Sequence, residues 1–118
     1  MDIKKEATLM KLVKKSEGTV YDAPKHFNVW SSRKLGDQDT KRLLVSLSHF
    51  LPNGGVEMSG SPTEKMYYVI SGSMMVKTKT QEYTLNPGDI VYFAPDEERE
   101  IKVVGNDVCT ILVAMVKV

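Results

Sequence analysis

Apolar and polar residues alternate along most of this chain in short runs, each closed by glycine, proline or asparagine. "RLLVSLSHFL" (Arg42 to Leu51) is aliphatic and β-branched and meets "PNGG", a cluster of turn formers. "KMYYVI" meets Ser71-Gly72 and "SMMVKTKT" follows at once, the pattern of a tight hairpin. "EYTL" leads into "NPGD", where Pro87 and Gly88 suit the central positions of a β-turn. "IVYFA" runs into Pro95, "REIKVV" into "GND", and "VCTILVAMVKV" follows. Upstream, "TVYDAP" and "FNVWSSRKL" read as two further strands before "GDQD". Many short strands with this punctuation predict an all-β sandwich or barrel. Only the first residues differ. "KKEATLMKLVKK" sets Leu9, Leu12 and Val13 at helical spacing among lysines, so residues 1–18 are expected to form a short helical or disordered extension, and residues 19–118 a single β domain.

Composition narrows the function classes. A 118-residue chain is one domain and buries roughly two-thirds of its unfolded surface, enough for a core without staples. A net charge of +1 provides no global field, so neither nucleic acid nor a membrane is an expected partner. The start, "MDIKKEATLM", is charged and lacks the apolar run of a signal peptide, and the longest apolar stretch is too short to span a bilayer; a cytoplasmic location is expected. Cys109 is the only cysteine, and its apolar run marks it as a small buried hydrophobe. The phosphate loop, the dinucleotide fingerprint, paired C-x-x-C and the G-x-S-x-G elbow are all missing. "DEERE" (Asp96 to Glu100) reads as a solvated turn.

The glycine-rich turn, the S-x-S-P-x-E-K run from Ser59 to Lys65, "YYVISG", "LNPGD" and "VYFAP" together resemble the cupin superfamily, from about Val20 to Val116 and most strongly from Asn53 to Ile101. The resemblance implies a small antiparallel jelly-roll β-barrel, usually a homodimer, with a pocket inside. In typical metal-binding members the first motif supplies His, His and Glu, and the second one more His. Aligned on Pro62 and Gly72, the two histidine positions fall on Ser59 and Ser61, and the glutamate position on Lys65, one residue after Glu64. Aligned on Gly88 and Pro95, the last histidine position falls on Arg99. Transition metals need lone pairs from imidazole, thiolate or carboxylate, which hydroxyls, ammonium and guanidinium do not supply. Neither a metal nor a cofactor is expected there. A one-residue slip bringing Glu64 inward, with His26 and His49 as replacement ligands, would exchange the two faces of the strand. His49 reads instead as a satisfied core histidine and His26 as a surface or turn residue.

In such a barrel Lys65, Tyr67 and Val69 point into the pocket, with Val91, Phe93, Arg99 and Ile101 facing the same interior. The candidate ligand-binding residues are Ser59, Ser61, Lys65, Tyr67, Arg99 and His49, a polar, cationic mouth above an apolar floor; no catalytic residue is assigned. Two cations in that place need an answer, from Glu57, Glu64, Glu97 or Glu98, or from a ligand. The expected function is metal-independent binding of a small, carboxylate-bearing metabolite. One alternative is a metal-free isomerase, epimerase or decarboxylase acting on a sugar acid or keto acid. There Lys65 or Arg99 would stabilise an enolate, Tyr67 or His49 would move the proton, or a desolvated Lys65 would form a Schiff base. Another is a dimeric interaction module with a vestigial pocket, with Met58, Met66, Met74 and Met75 as core or contact residues and the strand of Trp30 in a two-fold interface.

Overall fold

The computed structural model describes residues 10–118. Among these residues the chain forms nine strands and no helix: β1 (Thr19–Tyr21), β2 (His26–Leu35), β3 (Leu43–Ser59), β4 (Thr63–Ser71), β5 (Ser73–Lys77), β6 (Glu82–Leu85), β7 (Ile90–Phe93), β8 (Arg99–Val104) and β9 (Cys109–Lys117). All pairings are antiparallel, in the order β6-β5-β8-β3-β9-β4-β7, with β2 also on β3 and β1 on β2. The sheet curls into the nearly closed jelly-roll barrel that the strand pattern and the resemblance predict. Residues 10–18 form no helix, and the earlier part of the expected helical or disordered extension lies outside the described residues.

β3 joins the two halves of the barrel. Leu43 to Phe50 pair with β9, whereas Gly55, Val56 and Ser59 pair with β8. "PNGG" therefore bends the strand instead of ending it. Asn53 takes a positive φ of 69°, and Pro52, which has no N–H to give a ladder, falls between the two pairings. The glycines allow backbones to meet. A Cβ on Gly54 would lie 2.4 Å from the Asn28 carbonyl oxygen, and one on Gly55 2.0 Å from that of Ile101.

Ser71-Gly72 likewise makes no hairpin. β4 pairs with β9 and β7, and β5 with β8 and β6, so Gly72, at φ 76°, carries the chain from one half of the barrel to the other. Turn composition announces a change of direction but not which strands become neighbours. "NPGD" behaves as expected: the Asp89 N–H donates to the Asn86 carbonyl at 2.9 Å, and Gly88 holds the positive φ of 93°.

The interior follows the alternation of β4. Tyr67 and Val69 are buried, packed with Phe50, Val56, Met74, Phe93, Ile101 and Ile111. Cys109 is buried and free. Among the described residues no helix is long and apolar enough to cross a membrane. Gly55→Ala should cost about 2 kcal/mol or more, because the methyl group would run into the Ile101 backbone, which has no side-chain freedom to move aside. Gly36→Ala, whose Cβ would meet nothing closer than 3.7 Å, should leave the chemical-denaturation midpoint nearly unchanged.

Candidate ligand-binding site

The barrel encloses a cavity of about 470 Å³, the size of a small-metabolite pocket. Ser59, Ser61, Lys65, Tyr67 and Arg99 all line it. They come from three places: the end of β3 and the turn after it, the start of β4, and the first residue of β8.

Arg99 is the centre of this group. It pairs with Ser59 across the β3–β8 ladder and is only 3% exposed. Nη1 donates to the Ser59 carbonyl at 2.7 Å and to Ser59 Oγ at 3.4 Å, and Nη2 donates to the Tyr67 hydroxyl oxygen at 2.9 Å. Nε is buried without a partner. The guanidinium carbon stands 5.6 Å from the centre of the Phe93 ring and 6.0 Å from that of Tyr67, which itself meets Phe93 edge-on. Within "DEERE" Asp96, Glu97 and Glu98 are exposed, Glu100 is half-buried and the arginine turns inward.

The four glutamates that might have neutralised this charge do other things. Glu57 is exposed, Glu64 accepts the Tyr92 hydroxyl at 2.7 Å, Glu97 accepts the Ala94 N–H at 3.2 Å, and Glu98 pairs with Lys79 at 3.2 Å. Among the described residues no carboxylate lies within 4 Å of Lys65 or Arg99. The cavity lining holds four cationic side chains, Lys25, Arg33, Lys65 and Arg99, against one carboxylate, the exposed Asp22.

Burial first, and that imbalance second, shift the titrating groups. Burial, and then the charge of Arg99, lower Lys65 to a pKa of about 8. Burial raises the Tyr67 phenol, against the lowering charge and hydrogen bond of Arg99, so it stays protonated at neutral pH. Its oxygen already accepts from Arg99, which leaves its own proton for a second acceptor. Ser59 Oγ donates to the Glu57 carbonyl at 2.9 Å, and Ser61 Oγ shares a 2.9 Å hydrogen bond with Thr63 Oγ1.

The histidines exchange their expected places. His49 does not reach the cavity; it lies on the outer face of β3, stacked on Trp30 at 5.4 Å, with Nδ1 2.9 Å from Thr110 Oγ1. His26, expected in a turn, opens β2 and lines the cavity, stacked on Phe50 at 6.1 Å. A register shift between Phe27 and Val29 reverses the parity of β2, so alternation counted from Val29 points His26 the wrong way. Its Nδ1 is 2.7 Å from the Pro24 carbonyl, which can only accept, so Nδ1 bears the hydrogen and Nε2 keeps its lone pair. Burial first lowers its pKa; the Pro24 carbonyl raises it, and the charges of Arg99 and Lys65 lower it further. Sequence reasoning also missed Tyr21 and Arg33. The Arg33 guanidinium lies 4.5 Å from the Tyr21 ring centre, and both side chains donate to Ser46 Oγ, at 2.8 and 3.0 Å.

The donors present do not fit a transition metal. At the family's four ligand positions stand two hydroxyls, an amine perturbed by a neighbouring cation, and a guanidinium already turned toward Ser59 and Tyr67. Among the described residues no three His, Cys, Asp or Glu side chains are grouped to hold an ion.

Comparison with known proteins agrees with this architecture. Residues 46–115, more than half of the chain, match the family described as Cupin domain. A β-D-galactosidase of Mycobacterium tuberculosis is 34% identical over 94 residues, covering 78% of this chain and 81% of that protein. A polyketide cyclase from Streptomyces resistomycificus superposes with a TM-score of 0.78 at 18% identity, over 92% of this chain and 80% of that one. A predicted oxalate decarboxylase from Thermotoga maritima gives 0.77 at 16% identity, over 92% and 100%. Barrel, motif order and sequence match converge on one conclusion: the chain belongs to the cupin domain family.

Proposed function

We propose that the protein binds a small, carboxylate-bearing metabolite in its barrel cavity, without a transition metal. The observation that carries this reading is Arg99, a buried guanidinium with an unpartnered Nε and no carboxylate within 4 Å among the described residues. A cation held this way costs several kcal/mol. An anion about 4 Å away would recover roughly 4 kcal/mol from each cation at an effective dielectric near 20. Lys65 adds a second charge, and Ser59, Ser61 and the Tyr67 proton suit an oxygen-rich ligand. Apolar Phe50, Ile111, Val113 and Met115 line the rest.

Three relatives carry enzyme names, and one of them is named for a dicarboxylate, oxalate. The galactosidase name points elsewhere. Glycoside hydrolysis in its common form takes two carboxyl groups about the scissile bond. This lining offers Asp22 alone among the described residues.

A thermal-shift panel of carboxylates, sugar acids and phosphates, beside neutral analogues, should show stabilisation by anions; a list of neutral hits only would overturn the reading. Stoichiometric zinc, iron, manganese or nickel in the cavity would overturn its metal-independent half. Arg99→Met should weaken anion binding at least about tenfold, while the unliganded variant melts no lower than the parent, since it relieves an unpaired buried charge. Lys65 is charged below its pKa of about 8, so affinity should fall as pH rises through that value. The unliganded fold responds oppositely: the native amine sheds its proton before the unfolded one does, at 10.5, so stability should rise between about pH 8 and 10.5. Lys65→Met should abolish both responses.

We also propose that the protein is a homodimer, through the outer face of the sheet formed by β2, β3, β9, β4 and β7. One row across four strands, Leu47–Leu112–Tyr68–Ile90, is wholly apolar or aromatic. Trp30, Ile90 and Tyr92 stand 51%, 63% and 56% exposed on that face. A second copy of the same surface would cover it about a two-fold axis. Light scattering at micromolar concentration should give a dimer, and Ile90→Lys with Tyr68→Lys a folded monomer. A monomeric parent would refute the proposal.

A further inference from the structure

We propose that Lys65 is an amine nucleophile and that the cavity captures the carbonyl carbon of an oxo acid as an imine on its Nζ. This rests on the anion-binding reading for the carboxylate and goes beyond it in the carbonyl.

A lysine that forms imines needs a neutral amine near working pH, a place in a cavity that admits the carbonyl and no carboxylate holding its proton. Lys65 meets these conditions. It lines the cavity half-buried, with Arg99 as its charged neighbour and no carboxylate within 4 Å among the described residues. Lys11, Lys79 and Lys117 are held by Asp39, Glu98 and Asp37. Burial and Arg99 bring the Lys65 amine to about 8, against 10.5 for a free lysine. About half of it is then neutral at pH 8, where an ordinary lysine is neutral in well under ~1% of molecules.

The surrounding groups select the electrophile. The uncompensated charge of Arg99 favours a carboxylate in the cavity, and the Tyr67 hydroxyl, whose oxygen already accepts from Arg99, has its own proton for the carbonyl oxygen. His26 keeps a lone pair on Nε2, on a ring whose protonation feels both Lys65 and Arg99. An oxo acid supplies the carboxylate and the electrophilic carbon together. A phosphate has no such carbon, and a simple ketone has nothing for Arg99. The apolar floor of Phe50, Ile111, Val113 and Met115 fits an apolar or aromatic substituent.

The reaction balances without an oxidant or reductant. The Nζ lone pair forms the C–N bond as the carbonyl π pair moves to oxygen. The nitrogen gives up two protons, the oxygen gains two, and it leaves as water. Amine and carbonyl thus give imine and water, and protonation of the imine makes an electron sink for the neighbouring carbon.

The test incubates the full chain with phenylpyruvate and sodium cyanoborohydride, which supplies hydride to an imine, followed by intact mass and peptide mapping. The expected result is a single reduced adduct on Lys65, rising with pH as a group near 8 loses its proton. It should be absent in Lys65→Arg and at least about tenfold less abundant with phenylacetone, which lacks the carboxylate. No adduct on Lys65, labelling shared evenly with exposed lysines, or equal labelling by phenylacetone would each overturn the proposal. Thermal stabilisation by phenylpyruvate without an adduct would end the imine and keep the anion-binding reading; loss of both would end both.

Discussion

A buried guanidinium with no carboxylate within 4 Å among the described residues is the constraint around which this barrel is organised. Moving a charge out of water costs several kcal/mol after relaxation. The chain offsets part of that with neutral acceptors only: the Ser59 carbonyl, the Tyr67 phenol and the faces of two rings. Each depends on the fold being right elsewhere. Ser59 reaches Arg99 only because β3 bends near Gly54 and Gly55 and crosses from β9 to β8. Tyr67 reaches it because β4 runs against β9 and β7, on the far side of the cavity from β8.

Alternation makes the inner face of β4 legible in the sequence: it puts Lys65, Tyr67 and Val69 on one side, and Phe93 and Val91 do face them across the ladder. It fails where one residue changes the count. The shift at Phe27–Val29 turns His26 to the face that simple alternation denies it. "PNGG" looks like the end of a strand, and Ser71-Gly72 like a hairpin, because glycine and proline mark bends, crossings and reversals alike. Arg33 and Tyr21 are illegible for another reason: they meet at Ser46, through contacts between strands distant in sequence.

His49 is misplaced by something more informative than a counting error. In β3 the aliphatic residues Leu43, Val45, Leu47 and Leu51 share its parity, while Ser46 and Ser48 share that of Leu44 and Phe50. Core-seeking logic sends the aliphatic parity inward. The structure does the reverse, because the inside of this barrel is a cavity whose wall carries hydroxyls, with Ser48 sharing a 2.8 Å hydrogen bond with Ser31. A strand that is apolar outside and polar inside describes a hollow domain with a surface to cover.

The fold alone does not choose among chemistries: cyclase, decarboxylase and galactosidase names occur among proteins of this shape or sequence. The lining is what can choose. Imidazoles and carboxylates at the four family positions would share electrons with an ion, whereas hydroxyls, an amine and a guanidinium donate protons or attack carbon. Burial first, and then the same Arg99 charge that is proposed to attract an anion, lower the pKa of Lys65, so the proposed attraction and nucleophilicity share one side chain. An anion bound at Arg99 would offset that charge but leave the larger effect, burial, in place, so the amine would stay below its ordinary pKa. In the proposed imine, one ligand would bring both the anion for Arg99 and the carbonyl for an amine that burial keeps reactive, and that would link the charge of this cavity to its chemistry.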